Sequence, residues 1–139
     1  MGVTALIMNI EVVDEKLRKI ICPGKSEVSI KRYIDAMQSA VHILGIGNVS
    51  SVLLAGIQPA EDIINMGRKL IEIGVIPTIM PFKPLDDCAM KKEKITNPNE
   101  LLFISERLGD QMVRRGLNPR RQYGCTKCGG CSLETVAFV

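Results

Sequence analysis

The sequence predicts an α/β fold of about three parallel βα units, followed by an irregular, Cys-rich C-terminal tail. Two observations carry this. Short runs rich in Val, Ile and Leu alternate with longer segments whose apolar residues recur every three or four positions. Alternation of strand and helix implies parallel strands joined by right-handed crossovers. At 139 residues and 46% hydrophobic, the chain has material for one modest domain.

Each element has its own justification. Residues 3–13 are rich in Val, Ile and Leu and read as a buried strand. Asp14 suits the cap of a short helix through Ile20, stopped by Pro23-Gly24. Ser29 opens a longer helix, in which Ile30, Ile34, Met37, Val41 and Leu44 fall at three- and four-residue steps until Gly45 and Gly47. Residues 51–57 form a second apolar run. After Pro59 a helix over 61–73 stops at Gly74. Residues 75–80 make the third strand, closed by Pro81 and Pro84, and 86–94 read as a mixed-charge loop. Asn97 or Asn99 caps a last helix over 100–115 that ends at Gly116, and the chain is irregular from Leu117 onward. Three parallel strands leave two sheet edges open, so a partner or self-association is expected.

Composition excludes several classes. A net charge of +3, with 4% aromatics and no Trp, offers little to a nucleic acid. No window reaches the roughly 18 apolar residues of a membrane span. The N-terminus lacks a basic region followed by an apolar core, so no secretory signal is expected and the reducing cytoplasm is the expected compartment.

The most chemically loaded stretch is Cys125-Thr126-Lys127-Cys128-Gly129-Gly130-Cys131. Three thiols at C-x₂-C-x₂-C spacing, with glycines that let the backbone fold around them, suit one iron–sulfur cluster. Zinc is the main competitor, although its ligands usually arrive as two hooks and one is visible here. Plain redox or structural thiols are the third reading. Cys22 and Cys88 read as isolated small apolar residues; either could supply a fourth ligand, Cys88 being preferred for its loop. His42 reads as a packed or surface histidine, and Asp86 and Asp87 have no partner pattern for acid–base work. Arg107, Arg114, Arg115, Arg120, Arg121 and Lys127 outnumber the single acid Asp110 over residues 107–127, which reads as a solvated face and tail or as a basic rim for a thiolate cluster or an acidic substrate.

Several segments together carry a family resemblance: Asn9-Ile10-Glu11, Cys22-Pro23-Gly24-Lys25, the turn Gly45-Ile46-Gly47-Asn48-Val49, Ala55-Gly56-Ile57-Gln58-Pro59, and the run from Pro77 to Pro84. In this order and at strand ends, they resemble the C-terminal half of a radical S-adenosylmethionine (SAM) protein of the biotin-synthase-related subgroup. The resemblance covers about residues 5–131. It implies a partial (β/α) barrel over residues 1–116, with ligand contacts at the C-terminal ends of strands, and an iron–sulfur-binding tail over 117–139.

The resemblance assigns Glu11 to the ribose hydroxyls of SAM, with Asn9 on the same strand face looking toward SAM or substrate. A carboxylate can accept from both hydroxyls of a diol. Gly56 and Ile57 would let the backbone approach adenine, and Pro81 and Phe82 would wall the nucleoside pocket. A basic residue at the start of the following helix holds the SAM carboxylate in such enzymes, and Lys31 and Arg32 lie near that place. The family chemistry is reductive SAM cleavage followed by hydrogen abstraction from substrate.

The departure is equally specific. The family's C-x₃-C-x₂-C loop, which holds the SAM-cleaving cluster, is absent from this sequence. The expected function is therefore the C-terminal portion of such an enzyme, contributing part of the SAM pocket and an auxiliary [4Fe-4S] site on Cys125, Cys128 and Cys131. It would be inactive without a polypeptide supplying the N-terminal half-barrel. The substrate would be an unidentified small molecule or acyl group. The alternative is a non-catalytic iron–sulfur or zinc-binding module for electron transfer or scaffolding.

Overall fold

The structure, a computed structural model, describes residues 2–121. Cys125, Cys128 and Cys131 lie outside the described residues, as does most of the expected tail.

The best-formed part of the sheet is a pair of parallel strands, β2 (Val49–Ala55) and β3 (Ile76–Pro81). Their register runs from Ser50↔Ile76 to Ala55↔Pro81. A much shorter β1 (Leu6–Ile7) lies parallel to β2 on its other side, through Leu6↔Val49 and Ile7↔Ser50. The strand order is β1-β2-β3, so each strand neighbours the next in sequence. Among the described residues the sheet is open, with three strands and no closure into a barrel. Along β2, Val49, Ser51, Leu53 and Ala55 are buried while Val52 and Leu54 are partly exposed. One sheet face is thus more fully covered than the other.

The helices begin and end where local chemistry allows. Asp14 caps α1 (Glu15–Ile21), its Oδ1 accepting from the Leu17 amide at 2.7 Å. Next comes a four-residue turn, α2 (Pro23–Ser26), where the sequence suggested only a stop. Proline is tolerated at the first helical position because its missing N–H would have no intrahelical acceptor there. Ser29 caps α3 (Ile30–Leu44), which ends at Gly45 with φ 91°. α4 (Ala60–Glu72) follows Pro59 and has no side-chain cap, but Glu61 and Asp62 in its first turn complement the helix dipole. Asn97 caps α5 (Pro98–Arg115). At its end Gly116 is left-handed (φ 73°), and the Leu117 amide donates back to Met112 O at 2.9 Å, a Schellman arrangement.

The core follows from these faces. Ile63, Ile64, Leu70 and Ile71 of α4 and Ile104, Leu108 and Met112 of α5 pack with Leu53 and Ile79 of the sheet. The two helices meet at Gly67, where an added Cβ would sit 2.6 Å from Leu108 Cδ1. Leu117 closes this core from beyond α5 and is 1% exposed.

Candidate functional site

The first strand carries the main surprise. Between the pairs Ile7↔Ser50 and Glu11↔Leu53 it advances four residues while β2 advances three. One residue is extra, a bulge over Met8–Ile10. Side chains repair the interrupted ladder. The Ile10 amide donates to Ser51 Oγ at 3.1 Å, and Asn9 Oδ1 accepts from the Val52 amide at 3.2 Å. Regular pairing then resumes, with Glu11 N–H on Val52 O and Leu54 N–H on Glu11 O. The bulge replaces the single uninterrupted strand expected over residues 3–13. It also removes the simple alternation that would put Asn9 and Glu11 on one face.

Glu11 emerges from the bulge with φ 65°, the only non-glycine residue at positive φ among those described. A left-handed backbone at a residue with a Cβ costs roughly 1–2 kcal/mol and persists only where its surroundings impose it. Gln58 is a large part of those surroundings. Its Nε2 donates to Glu11 O (3.0 Å) and Leu54 O (2.8 Å), and its Oε1 accepts from the Val13 amide (2.7 Å). Gln58 is buried and ties the exit of β1 to the exit of β2.

The Glu11 carboxylate meets α2. Its Oε1 is ion-paired with the Lys25 ammonium, and Cys22 Sγ lies 3.9 Å from Oε2. Both charged side chains are part-exposed, so the pair contributes little to stability. Burial pushes the Cys22 thiol pKa above its ordinary value, and the Glu11 charge raises it further. Cys22 is therefore a protonated, weakly nucleophilic thiol near neutral pH. In a variant keeping Cys22 as its sole cysteine, Glu11→Gln is expected to speed alkylation by iodoacetamide at about pH 8. An unchanged rate would show that the thiol does not sense this carboxylate.

At the ends of the other strands, Gly56 has φ 90° and sits against Thr96. Thr96 Oγ1 lies 2.8 Å from Ala55 O and 3.1 Å from Phe82 O, its one hydroxyl proton shared between the two carbonyls, and so bridges the exits of β2 and β3. The space beside Gly56 Cα is thus taken by a threonine of the chain itself. Ile57 and Phe82 are half-buried, and Pro81 is exposed. Glu11, Gly56 with Ile57, and Pro81 with Phe82 accordingly mark the C-terminal ends of three neighbouring parallel strands, along one end of the sheet.

The two basic residues that the resemblance brings near the SAM carboxylate form no ion pair with Glu11. Lys31 pairs with Asp35 one helical turn on, at 2.7 Å, and Arg32 is exposed on α3. The cation at Glu11 is Lys25, to which neither the sequence pattern nor the resemblance assigned a role. Its signal was Cys22-Pro23-Gly24-Lys25, where the proline begins a helical turn instead of ending one. Gln58 lay within the resembling segment 55–59 without a role and Thr96 carried no signal, since their partners lie more than forty residues away for several of these bonds.

Among the described residues no group of three or more His, Cys, Asp or Glu side chains is placed to hold a metal ion. Cys22 and Cys88 are free, half-buried thiols. No described helix is long and apolar enough to cross a membrane.

No family model matches the chain, and no solved structure matches it. Among curated proteins it is similar to the bacteriochlorophyllide c C-7(1)-hydroxylase of Chlorobaculum limnaeum, at 25% identity over 115 residues. The aligned region is 81% of this chain and 29% of that protein, so the chain spans less than a third of the relative's length.

Proposed function

We propose that this chain is the C-terminal portion of a radical SAM enzyme related to the biotin-synthase subgroup. It contributes part of the SAM pocket and an auxiliary [4Fe-4S] site, and works in the cytoplasm with a polypeptide segment that supplies the N-terminal half-barrel. The carrying observation is the strained Glu11, held by Gln58 at the exit of the first strand, in a row of three parallel strand exits that Gly56 and Phe82 continue. The distant likeness to a hydroxylase supports a radical SAM relationship at the coarse level. Hydroxylation replaces a C–H bond, and hydrogen abstraction is a chemically suited way to open one. The partly exposed Val52 and Leu54 support further β/α units beyond these three.

The residues present suit SAM in their chemistry. SAM offers a ribose diol that needs acceptors and an amino-acid carboxylate that needs a cation. Glu11 supplies two acceptor oxygens. Lys25 supplies a mobile ammonium within reach of the same place, and takes the part first considered for Lys31 or Arg32. With SAM bound, Glu11 would turn from Lys25 to the ribose, and Lys25 to the SAM carboxylate. Asn9 would serve mainly to repair the strand through Val52. When bound in the completed enzyme, the SAM-cleaving cluster supplies the electron for reductive SAM cleavage. Cys125, Cys128 and Cys131, with Cys88 or Cys22 as a fourth ligand, would hold the auxiliary cluster. The substrate would be a small molecule or acyl group.

The test is reassembly. Expressed anaerobically with a segment carrying C-x₃-C-x₂-C, the chain should form 5′-deoxyadenosine from SAM and reductant. Alone it should form none, and its tail should bind iron and labile sulfide. SAM turnover by the isolated chain would refute the half-enzyme reading. Stoichiometric zinc without labile sulfide would favour the non-catalytic module instead.

A further inference from the structure

A buried cation lies apart from the strand-end site. Arg18 on α1 is 2% exposed, with its guanidinium stacked over Tyr33 at 4.9 Å from the ring centroid. Its Nη1 donates to Val28 O at 2.7 Å. Its Nε and Nη2 are buried and have no hydrogen-bond partner, and no carboxylate of the described residues pairs with it. A buried charge without compensation is strongly unfavourable, and buried polar atoms are nearly always partnered. Packing on Tyr33 explains the stacked face of the guanidinium but leaves these nitrogens unexplained.

Which nitrogens lack partners is informative. Nε and Nη2 form the side-on edge of the guanidinium, the fork that matches two oxygens of a carboxylate or phosphate. Arg18 lines a 220 Å³ cavity together with Glu15, Lys19, Ser26, Glu27 and Ser29. Ser29 is the cap of the fifteen-residue α3, so the positive end of that helix dipole lies at the same cavity. Lys19 adds a second cation, and the serines add hydroxyl donors. The acids Glu15 and Glu27 are exposed and would weaken, without abolishing, the attraction for an anion.

We propose that this cavity binds a carboxylate or phosphate group of a small molecule, held side-on by Arg18 with Lys19, Ser26 and Ser29 around it. Glu11 and Lys25 do not line it, so the proposal stands independently of SAM binding.

The test uses the full chain, isotopically labelled. Inorganic phosphate and acetate are titrated separately at constant ionic strength against a chloride control, and the backbone amides of Lys19, Ser26 and Ser29, which survive every substitution, are followed together with the Arg18 Nε–H resonance. A saturable shift with either anion, lost in Arg18→Met, is the expected result. Saturation by phosphate alone identifies a phosphate site, and saturation by acetate alone a carboxylate site. Lys19→Gln should weaken binding by about two- to fivefold, the worth of one exposed charge. Lys19 and Ser29 are exposed, so Lys19→Gln and Ser29→Ala test the site even where Arg18→Met does not fold. Shifts that never saturate, or that chloride reproduces, would overturn the proposal. So would undiminished binding in Arg18→Met, or in both Lys19→Gln and Ser29→Ala.

Discussion

Glu11→Ala is expected to weaken SAM binding ten- to a hundredfold in the complex with the N-terminal half-barrel. Loss of a hydrogen bond to a charged group costs about 1.5–3 kcal/mol, which gives that range. The structure also dictates the control. Alanine at φ 65° keeps the backbone strain while losing the carboxylate, so its effect mixes pocket and fold. Glu11→Gln keeps the size and removes the charge, and Glu11→Gly relieves the strain. A true ribose contact predicts weakened binding in all three, by titration calorimetry on the reassembled pair. If Glu11 only partners Lys25 at the surface, the Gln variant binds SAM as the wild type does, and stability changes little.

The largest expected loss of stability follows from Gly56→Ala, at about 2–5 kcal/mol. Two costs combine. The backbone is at φ 90°, where a Cβ is disfavoured by roughly 1–2 kcal/mol. The Cβ would also stand 2.4 Å from Thr96 Oγ1 and 3.0 Å from Thr96 Cα, which forces a shift worth typically about 1–3 kcal/mol. Thr96 has little freedom to yield, because its hydroxyl and amide hold Ala55 and Phe82. For a chain of this size the melting temperature should fall by about 10 °C. Gly116→Ala is the natural comparison: it has similar positive φ but no atom within 4 Å of the added Cβ, so it should cost only about 1–2 kcal/mol. Equal urea midpoints for the two variants would show that Thr96 yields freely.

The elements most legible in the sequence were those whose signals are local. Asp14, Ser29 and Asn97 cap their helices, and Gly45 and Gly116 end theirs at positive φ. The buried faces of α4 and α5 follow the three- and four-residue spacing of their apolar positions. β1 was misread because a bulge is not a local property. Met8 and Ile10 are apolar and strand-like on either side of Asn9, and only Ser51 and Val52, some forty residues on, show that the ladder slips there. The family resemblance brought out Glu11 and Gly56 as special, whereas their immediate physical roles depend on Gln58, Lys25 and Thr96. Arg18 was invisible as a buried charge, since an amphipathic reading of α1 assigns arginine to solvent. The tail cysteines stay as the spacing alone presents them.

The slight attachment of β1 bears on the order in which this chain assembles and loosens. Closing β2 on β3 brings together Ser50 and Ile76, whereas β1 must find β2 across the longer span from Leu6 to Val49. Loop closure favours the shorter span, and β2–α4–β3 also carries most of the core. The expected folding nucleus is that unit, with β1 docking afterwards. Native-state hydrogen exchange should mirror this: the amides of β2 and β3 open only with global unfolding, while those of Met8 and Glu11 exchange through a cheaper local excursion. That excursion would carry Glu11 away from Leu53 and Gln58 at the exit of β2. A ligand gripping all three strand exits would therefore slow exchange most on the first strand, by withdrawing the open form from the equilibrium.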